Sequence, residues 1–266
     1  MIDEVGELLK EAAAQAVLPW FDTLTAEHVT EKAPGDLVTV ADQQAEEIIT
    51  AGLLGLLPGS AVVGEEAVAA DARLLGRLRD TGSVWLVDPI DGTANFAAGR
   101  HPFVMMVALL RAGAPVASWI FDPVAGSLAV AEHGSGCFVD GVRLPVASDR
   151  PPLRTLRGSA PLRYLPARAR ATVAARAARV GAVLPGLHCA GREHWDIAAG
   201  RQDFAIFWRT LPWDHVPGTL LVRETGGVAL RFDGSAYDFT DDRGGLLVAR
   251  TESAWQDLRG ALLTDA

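Results

Sequence analysis

The chain has 266 residues, 49% hydrophobic and 21% charged, which is enough apolar material for one large domain or two packed halves. A formal net charge of −9 gives no electrostatic footprint for nucleic acid, so an anionic ligand needs local positive charge from metal ions or a few basic side chains. Two cysteines, Cys137 and Cys189, exclude a disulfide framework and fit a reducing compartment.

The start of the chain is acidic (Asp3, Glu4, Glu7), unlike the basic head of a signal peptide. The run FVMMVALL at 103–110 is far too short to span a bilayer. A soluble cytoplasmic protein with no membrane partner is expected. Residues 2–18 carry Ile2, Val5, Leu8, Leu9, Ala12, Ala13 and Ala16 at helical spacing, and Pro19 stops the pattern. After a loop, the stretch 36–42 (DLVTVAD) leads into a second helix through Ile48, Ile49, Leu53 and Leu56, with Asp42 placed as its N-cap. Ala61-Val62-Val63 is a short strand ending in Gly64-Glu65-Glu66, and 71–80 is a polar surface connection.

The central stretch is WLVDPIDGTANF at 85–96. Val84–Val87 reads as a buried strand that ends at Asp88, so two carboxylates, Asp88 and Asp91, lie just past a strand's carboxyl end, where ligands collect in open α/β sheets. Pro89 removes a backbone donor and Gly92 permits a tight turn or close ligand approach. The next residues can open a helix whose free amides face an anion. Carboxylates for a hard cation beside amides for a phosphate suggest metal-assisted phosphoryl chemistry. The plainer alternative is an Asp-rich turn, and DPIDG alone favours it.

From 103 to 147, apolar runs alternate with glycine turns, and Asp140-Gly141 marks a hairpin, so an antiparallel meander is expected. Residues 148–160 form a Pro- and Arg-containing connection, which divides the chain into halves 1–147 and 148–266. A helix at 166–179, a strand at 182–184, a helix near 192–201 and a strand at 203–208 follow. Next come a helix at 211–227 opening on Pro212-Trp213-Asp214, strands at 228–232 and 246–249, and a helix at 252–263. This mixture implies a layered α/β (α+β) architecture.

Asp42, Glu65, Asp88, Asp91 and Asp214 all follow apolar runs or open helices. Magnesium takes near-octahedral oxygen ligation from a few carboxylates, water and substrate phosphate, and two such ions hold the attacking and leaving oxygens of an in-line displacement. Taken singly, each acid also reads as a cap or a turn residue. Zinc on His188, Cys189, His194 and Asp196 is disfavoured because the spacing matches no standard site. Cys137, six residues before Arg143, does not form a Cys-x₅-Arg phosphatase loop.

Jointly, DPIDGT at 88–93, GEE at 64–66, DLVTVAD at 36–42 and PWDHVPGTLLVRETGG at 212–227 resemble the inositol monophosphatase family, in order over nearly the whole chain. The resemblance implies a magnesium-dependent, lithium-sensitive phosphatase of small phosphomonoesters, folded as a five-layer α-β-α-β-α sandwich and assembled as a homodimer. It further implies that Glu65, Asp88 and the Ile90 carbonyl hold one magnesium, that Asp88, Asp91 and Asp214 hold a second, and that a third, weaker ion sits near Glu65. The amides of Gly92 and Thr93 would contact phosphate. Thr93, hydrogen-bonded to Asp42, would help position and deprotonate the attacking water, with Glu65 beside it.

Two departures concern the leaving group. His188-Cys189-Ala190-Gly191-Arg192-Glu193-His194 replaces a Gly-Ser or Gly-Thr-Ala segment that shapes the sugar pocket. Phe207 stands seven residues before Asp214, where inositol-specific relatives place a glutamate. Ala190, Arg192, His194 and Arg209 are the candidates for touching the non-phosphate portion, with packing or surface roles as the alternative. Inositol 1-phosphate is the default substrate; histidinol phosphate, fructose 1,6-bisphosphate and a 3′-phosphoadenosine nucleotide are the runners-up. A non-catalytic phosphometabolite-binding protein is the reading from another class, and it would not need every ligand in place.

Overall fold

The computed structural model describes residues 1–33 and 35–263, with Asp36 described by its backbone alone. Helix α1 (Ile2–Ala12) carries on as a π-helical turn over Ala13–Val17. Strands β1 (Val29–Ala33) and β2 (Asp36–Thr39) make an antiparallel hairpin where the sequence suggested only a loop. Helix α2 (Val40–Leu56) starts from Thr39 rather than Asp42. The Thr39 side chain accepts from the amides of Ala41 and Asp42, and Asp42, at the third helical position, accepts from the Thr39 amide at 2.7 Å. The capping-box arrangement thus displaces the expected Asp42 cap by three residues.

Strand β3 (Ala61–Gly64) and helix α3 (Glu65–Ala70) follow, and then the polar connection coils into a 3₁₀ helix over Ala72–Arg79. Strand β4 (Ser83–Asp91) runs four residues beyond the expected end at Val87, through both aspartates. Its pairing with β5 (Val104–Arg111) slips between Asp88 and Asp91, where Pro89 has no N–H to give the ladder. The short helix α4 (Thr93–Ala97) intervenes. The meander continues through β6 (Ala114–Asp122), β7 (Ser127–Glu132), β8 (Gly136–Val139) and β9 (Val142–Arg143).

Within the expected connection at 148–160 lies a further strand, β10 (Arg157–Ser159). After it come α5 (Ala167–Arg176), β11 (Ala182–Leu184), α6 (Ala190–Ala198), β12 (Phe204–Phe207), α7 (Pro212–Glu224), β13 (Val228–Arg231), β14 (Leu246–Ala249) and α8 (Glu252–Leu258). Strands β3 to β9 form one seven-stranded sheet in chain order, with β3 and β4 parallel and the rest antiparallel. The second sheet runs β11-β10-β12-β14-β13.

Period-two alternation assigns the layers. In β4 and β5, Trp85, Val87, Met105, Val107 and Leu109 pack with Val5, Leu9, Ala45 and Ile49 of α1 and α2. Val84, Leu86, Val104, Met106 and Ala108 face the other way, onto Trp195 of α6 and Val216, Leu220 and Leu221 of α7. The far side of that helix pair meets Ala205, Phe207, Leu246 and Val248 of the second sheet. On that sheet's outer face, Phe204, Ile206, Leu247 and Ala249 pack against Val173 of α5 and Trp255 and Leu258 of α8. The order is helix, sheet, helix, sheet, helix. Lying between two sheets, α7 is buried nearly all round, which explains its lack of a polar face. Among the described residues no helix is long and apolar enough to cross a membrane.

Candidate active site

Three carboxylates from three elements converge. Glu65 opens α3, Asp88 lies near the end of β4 and Asp214 lies in the first turn of α7, and one oxygen from each falls within 4.8 Å of the other two. Each is positioned by local chemistry. The Glu46 carboxylate accepts from the amides of Glu66 and Ala67, both at 2.8 Å, fixing the turn that carries Glu65. Gly64 is required there, because a Cβ would lie 2.5 Å from Glu46 Oε1. Pro212 starts α7 one residue after its N-cap, Leu211, so Asp214 is the third helical residue rather than the cap.

Asp88 is the centre of the cluster. It is 1% exposed, and its Oδ1 is buried with no hydrogen-bond partner. Burial, then the carboxylates of Glu65, Asp91 and Asp214, push its pKa well above the ordinary range. A buried acceptor without a donor, facing two more carboxylates, is costly unless a cation neutralises it. The donor set, all oxygen, fits a hard divalent ion.

Asp91 stands beside this trio rather than within it. Its carboxylate accepts from the amides of Ala190 at 3.1 Å and Gly191 at 2.6 Å, at the start of α6. Burial raises its pKa to about 6 against the pull of those bonds. Gly191 allows this approach, since a Cβ would sit 2.8 Å from Val104 Cγ2. Gly92, at φ +93°, turns the chain into α4, and a Cβ there would stand 3.0 Å from the Pro102 carbonyl. Thr93 Oγ lies 2.9 Å from the Ile90 carbonyl and 3.3 Å from Asp42 Oδ1. Burial lifts Asp42 to about 7, although its bonds from Thr39 oppose that.

Lys32, from the β1–β2 hairpin, bridges Glu65 at 2.7 Å and Glu66 at 2.9 Å. Sequence reasoning passed over it; its signal was rarity, since Lys10 and Lys32 are the only lysines in the chain.

Beside these groups is a cavity of about 630 Å³, which Asp42 and Lys32 do not themselves border. Glu65, Asp88, Ile90, Asp91, Gly92, Thr93, Ala190, Arg209 and Asp214 all border it. Arg192 and His194 do not. Arg192 is bound to Asp122 at 3.1 Å and Asp196 at 3.0 Å. His194 is fully buried, donates from Nδ1 to the Ala190 carbonyl at 2.7 Å and stacks on Phe207 at 5.1 Å. The helical register explains both: with Ala190 and Gly191 turned to Asp91, residue 192 faces outward and residue 194 faces α7. Arg163 and Tyr164 also border the cavity, and no sequence pattern marked them for it; His188, from the segment expected to shape the sugar pocket, borders it too.

The crowding has a measurable consequence. Raised carboxylate pKa values mean that stability is fully present below the ordinary value of 3.8 and is lost as pH rises through the folded value, about 6 for Asp91. The buried histidines act with the opposite sign: burial holds His194 down at about 4, so its contribution is lost as pH falls from 6.5. A cation binds the deprotonated acids, while the histidine contribution is common to both melts. The gap between Tm with a divalent cation and Tm in chelator is therefore expected to widen steadily from pH 5 to pH 8. A gap that is constant or narrows with pH would contradict a carboxylate cation site.

Comparison with known proteins bears on the family and the fold. The sequence model of the inositol monophosphatase family matches residues 1–265. The chain is 35% identical to the inositol-1-monophosphatase of Mesorhizobium japonicum over 229 residues, covering 84% of this chain and 82% of that one. It is 28% identical to the Bacillus subtilis inositol-1-monophosphatase over 243 residues, covering 91% and 89%. Its fold superposes on the Thermotoga maritima IMPase with a TM-score of 0.81 at 24% identity, covering 98% of this chain and 96% of that one. On this evidence the chain belongs to the inositol monophosphatase family and is a phosphomonoester hydrolase.

Proposed function

We propose that the chain hydrolyses a small phosphomonoester with magnesium as its bound cation, working in the cytoplasm as a homodimer. The observation that carries the reading is Asp88: a buried, unpartnered carboxylate oxygen flanked by Glu65 and Asp214, beside a cavity large enough for a small metabolite. Glu65, Asp88 and the Ile90 carbonyl would hold one ion, Asp88, Asp91 and Asp214 a second, and the Glu65 side a weaker third. Bound there, magnesium supplies positive charge for the phosphoryl group and lowers the pKa of nearby water.

The chain's own groups do the rest. The amides of Gly92 and Thr93, at the start of α4, lack intrahelical partners and are available to phosphate oxygens. Thr93 Oγ orients the attacking water, and Asp42 Oδ1, 3.3 Å away, is placed to receive its proton. A carboxyl raised to about 7 suits that task near neutral pH. Asp42 is held for it by the Thr39 amide and hydroxyl on its other oxygen. Glu65, steadied by Lys32, faces the same space.

Inositol 1-phosphate, after the names of the relatives, is the reference substrate. The test is phosphate release from inositol 1-phosphate, histidinol phosphate, fructose 1,6-bisphosphate and 3′-phosphoadenosine 5′-phosphate, with magnesium and in chelator. Turnover that appears only with magnesium supports the reading; silence from folded protein on every member points instead to a binding protein. Asp91→Asn leaves one oxygen to accept the two α6 amides and removes a charge from the site. It is expected to lower turnover by roughly 100-fold, and near-normal rates at saturating magnesium would remove Asp91 from the ligand set.

A further inference from the structure

We propose that the part of the cavity bordered by Arg163, Tyr164 and His188 is a second anion-binding subsite, which selects phosphomonoesters carrying a second phosphate or a carboxylate. This deepens the phosphatase reading and rests on it.

The cavity lining is chemically mixed: Glu65, Asp88, Asp91 and Asp214 border it, and so do Arg163, Tyr164 and His188. Around Arg163, the described lining residues offer more donors than acceptors. Beyond the four acids of the candidate metal site, the one carboxylate among the described lining residues, Glu193, is 2% exposed and already accepts from Ser159 Oγ and, at 2.6 Å, from the Leu187 amide. Phe207, at the place where a polyol-binding acid would stand, stacks on His194 instead. A polyol leaving group presents hydroxyls that need acceptors as well as donors, and this part of the lining offers few acceptors. An anion needs only donors.

Arg163 is set up to provide them. Its guanidinium lies 4.5 Å from the Tyr164 ring centroid, its Nη2 donates to the Tyr164 hydroxyl, and it stands 3.4 Å from His188 Nδ1. Only that nitrogen is engaged, so most of the five N–H donors of the guanidinium stay available for a bidentate anion contact. His188 is a non-glycine residue at φ +56°, a conformation that persists only where the surroundings enforce it. Its loop is pinned from behind by Asn95, whose side chain donates to the Leu187 carbonyl at 2.9 Å and to the Pro102 carbonyl at 2.8 Å. Partial burial, then the positive charges of Arg163 and Arg100, lowers the His188 pKa. An anion would relieve that repulsion.

The test uses matched pairs that differ only in the distal anion: fructose 1-phosphate against fructose 1,6-bisphosphate, and adenosine 3′-phosphate against adenosine 3′,5′-bisphosphate. A phosphohydroxy acid, 2-phosphoglycerate against glycerol 2-phosphate, covers the carboxylate case. In at least one pair, kcat/KM with magnesium is expected to be ten-fold or more higher for the doubly anionic member. Arg163→Gln is expected to erase that preference, mainly through KM, while changing the singly phosphorylated member less than two-fold. His188→Gly, which keeps the backbone conformation without the ring, should act in the same direction. Calorimetry gives a readout without turnover: the product that keeps the favoured member's distal anion should bind the wild type, and Arg163→Gln should weaken that binding about ten-fold. Turnover with no preference in any pair, or an Arg163→Gln effect equal on both members, overturns the subsite and leaves the phosphatase reading standing. No magnesium-dependent turnover of any compound, singly or doubly anionic, overturns the phosphatase reading and the subsite with it.

Discussion

Asp88→Asn is expected to cut magnesium-saturated turnover by on the order of 10³-fold while raising the Tm of the chelated protein by a few degrees. The two effects share one cause. Asp88 is buried among Glu65, Asp91 and Asp214, and the repulsion between these groups is the cost the fold carries for a site able to hold a cation. Asparagine is nearly isosteric. It removes one negative charge and supplies an N–H₂ group able to donate to a neighbouring carboxylate, so the chelated protein relaxes. The same change takes one charge from the cation and puts a donor where an acceptor is needed. Initial rates of phosphate release and thermal melts in chelator check the pair of outcomes. A variant that loses activity and also melts lower in chelator would show that Asp88 serves packing rather than cation binding.

Gly218→Ala is the second large effect, and it acts through packing. Gly218 lies on α7 where α6 crosses, and a Cβ there would fall 2.5 Å from His194 Cβ and 2.8 Å from His194 Nδ1. His194 cannot swing aside. It is wedged against Phe207 and His215 at 5.1 and 5.3 Å and held by the Ala190 carbonyl. The helices must therefore part, at a cost of about 1–3 kcal/mol, offset only in part by alanine's higher helix propensity. Parting them moves Asp214 on α7 relative to Asp91, which α6 holds through two amides. Tm is expected to fall by roughly 2–8 °C and kcat by about ten-fold or more. Unchanged melting and kinetics would mean that the two helices do not set the site's geometry.

Much of this was legible in the sequence because it rests on patterns of near neighbours. The 3.6-residue repeat of residues 2–18 and the alternation through 103–147 gave α1 and the meander directly. DPIDGT alone reads as an ordinary turn; it is legible as a ligand site only jointly with GEE at 64–66, DLVTVAD at 36–42 and PWDH at 212–215, each a contiguous motif. What the sequence did not disclose depends on distant partners. The strand β10 is three residues long and is stabilised by parallel neighbours β11 and β12, neither of which is adjacent in a way that periodicity detects. Asp42 and Asp214 looked like caps; the choice of Thr39 and Leu211 turns on backbone angles one turn earlier. Arg192 and His194 are polar residues in a promising segment, yet the register of α6 is set by Asp91, 99 and 100 positions away from its amide partners. Arg163 reaches the cavity by tertiary packing alone.

The strand lengths bear on solubility. The outermost strands of the two larger sheets are β3 and β9, with four and two residues, and β11 and β13, with three and four. The interior strands β4, β5 and β6 have nine, eight and nine. Both sheets therefore taper toward their margins, and neither presents a long row of open backbone groups on which another chain could stack as a new strand. Together with a net charge of −9, this shields the apolar interior strands from intermolecular β-pairing and resists aggregation of the folded chain.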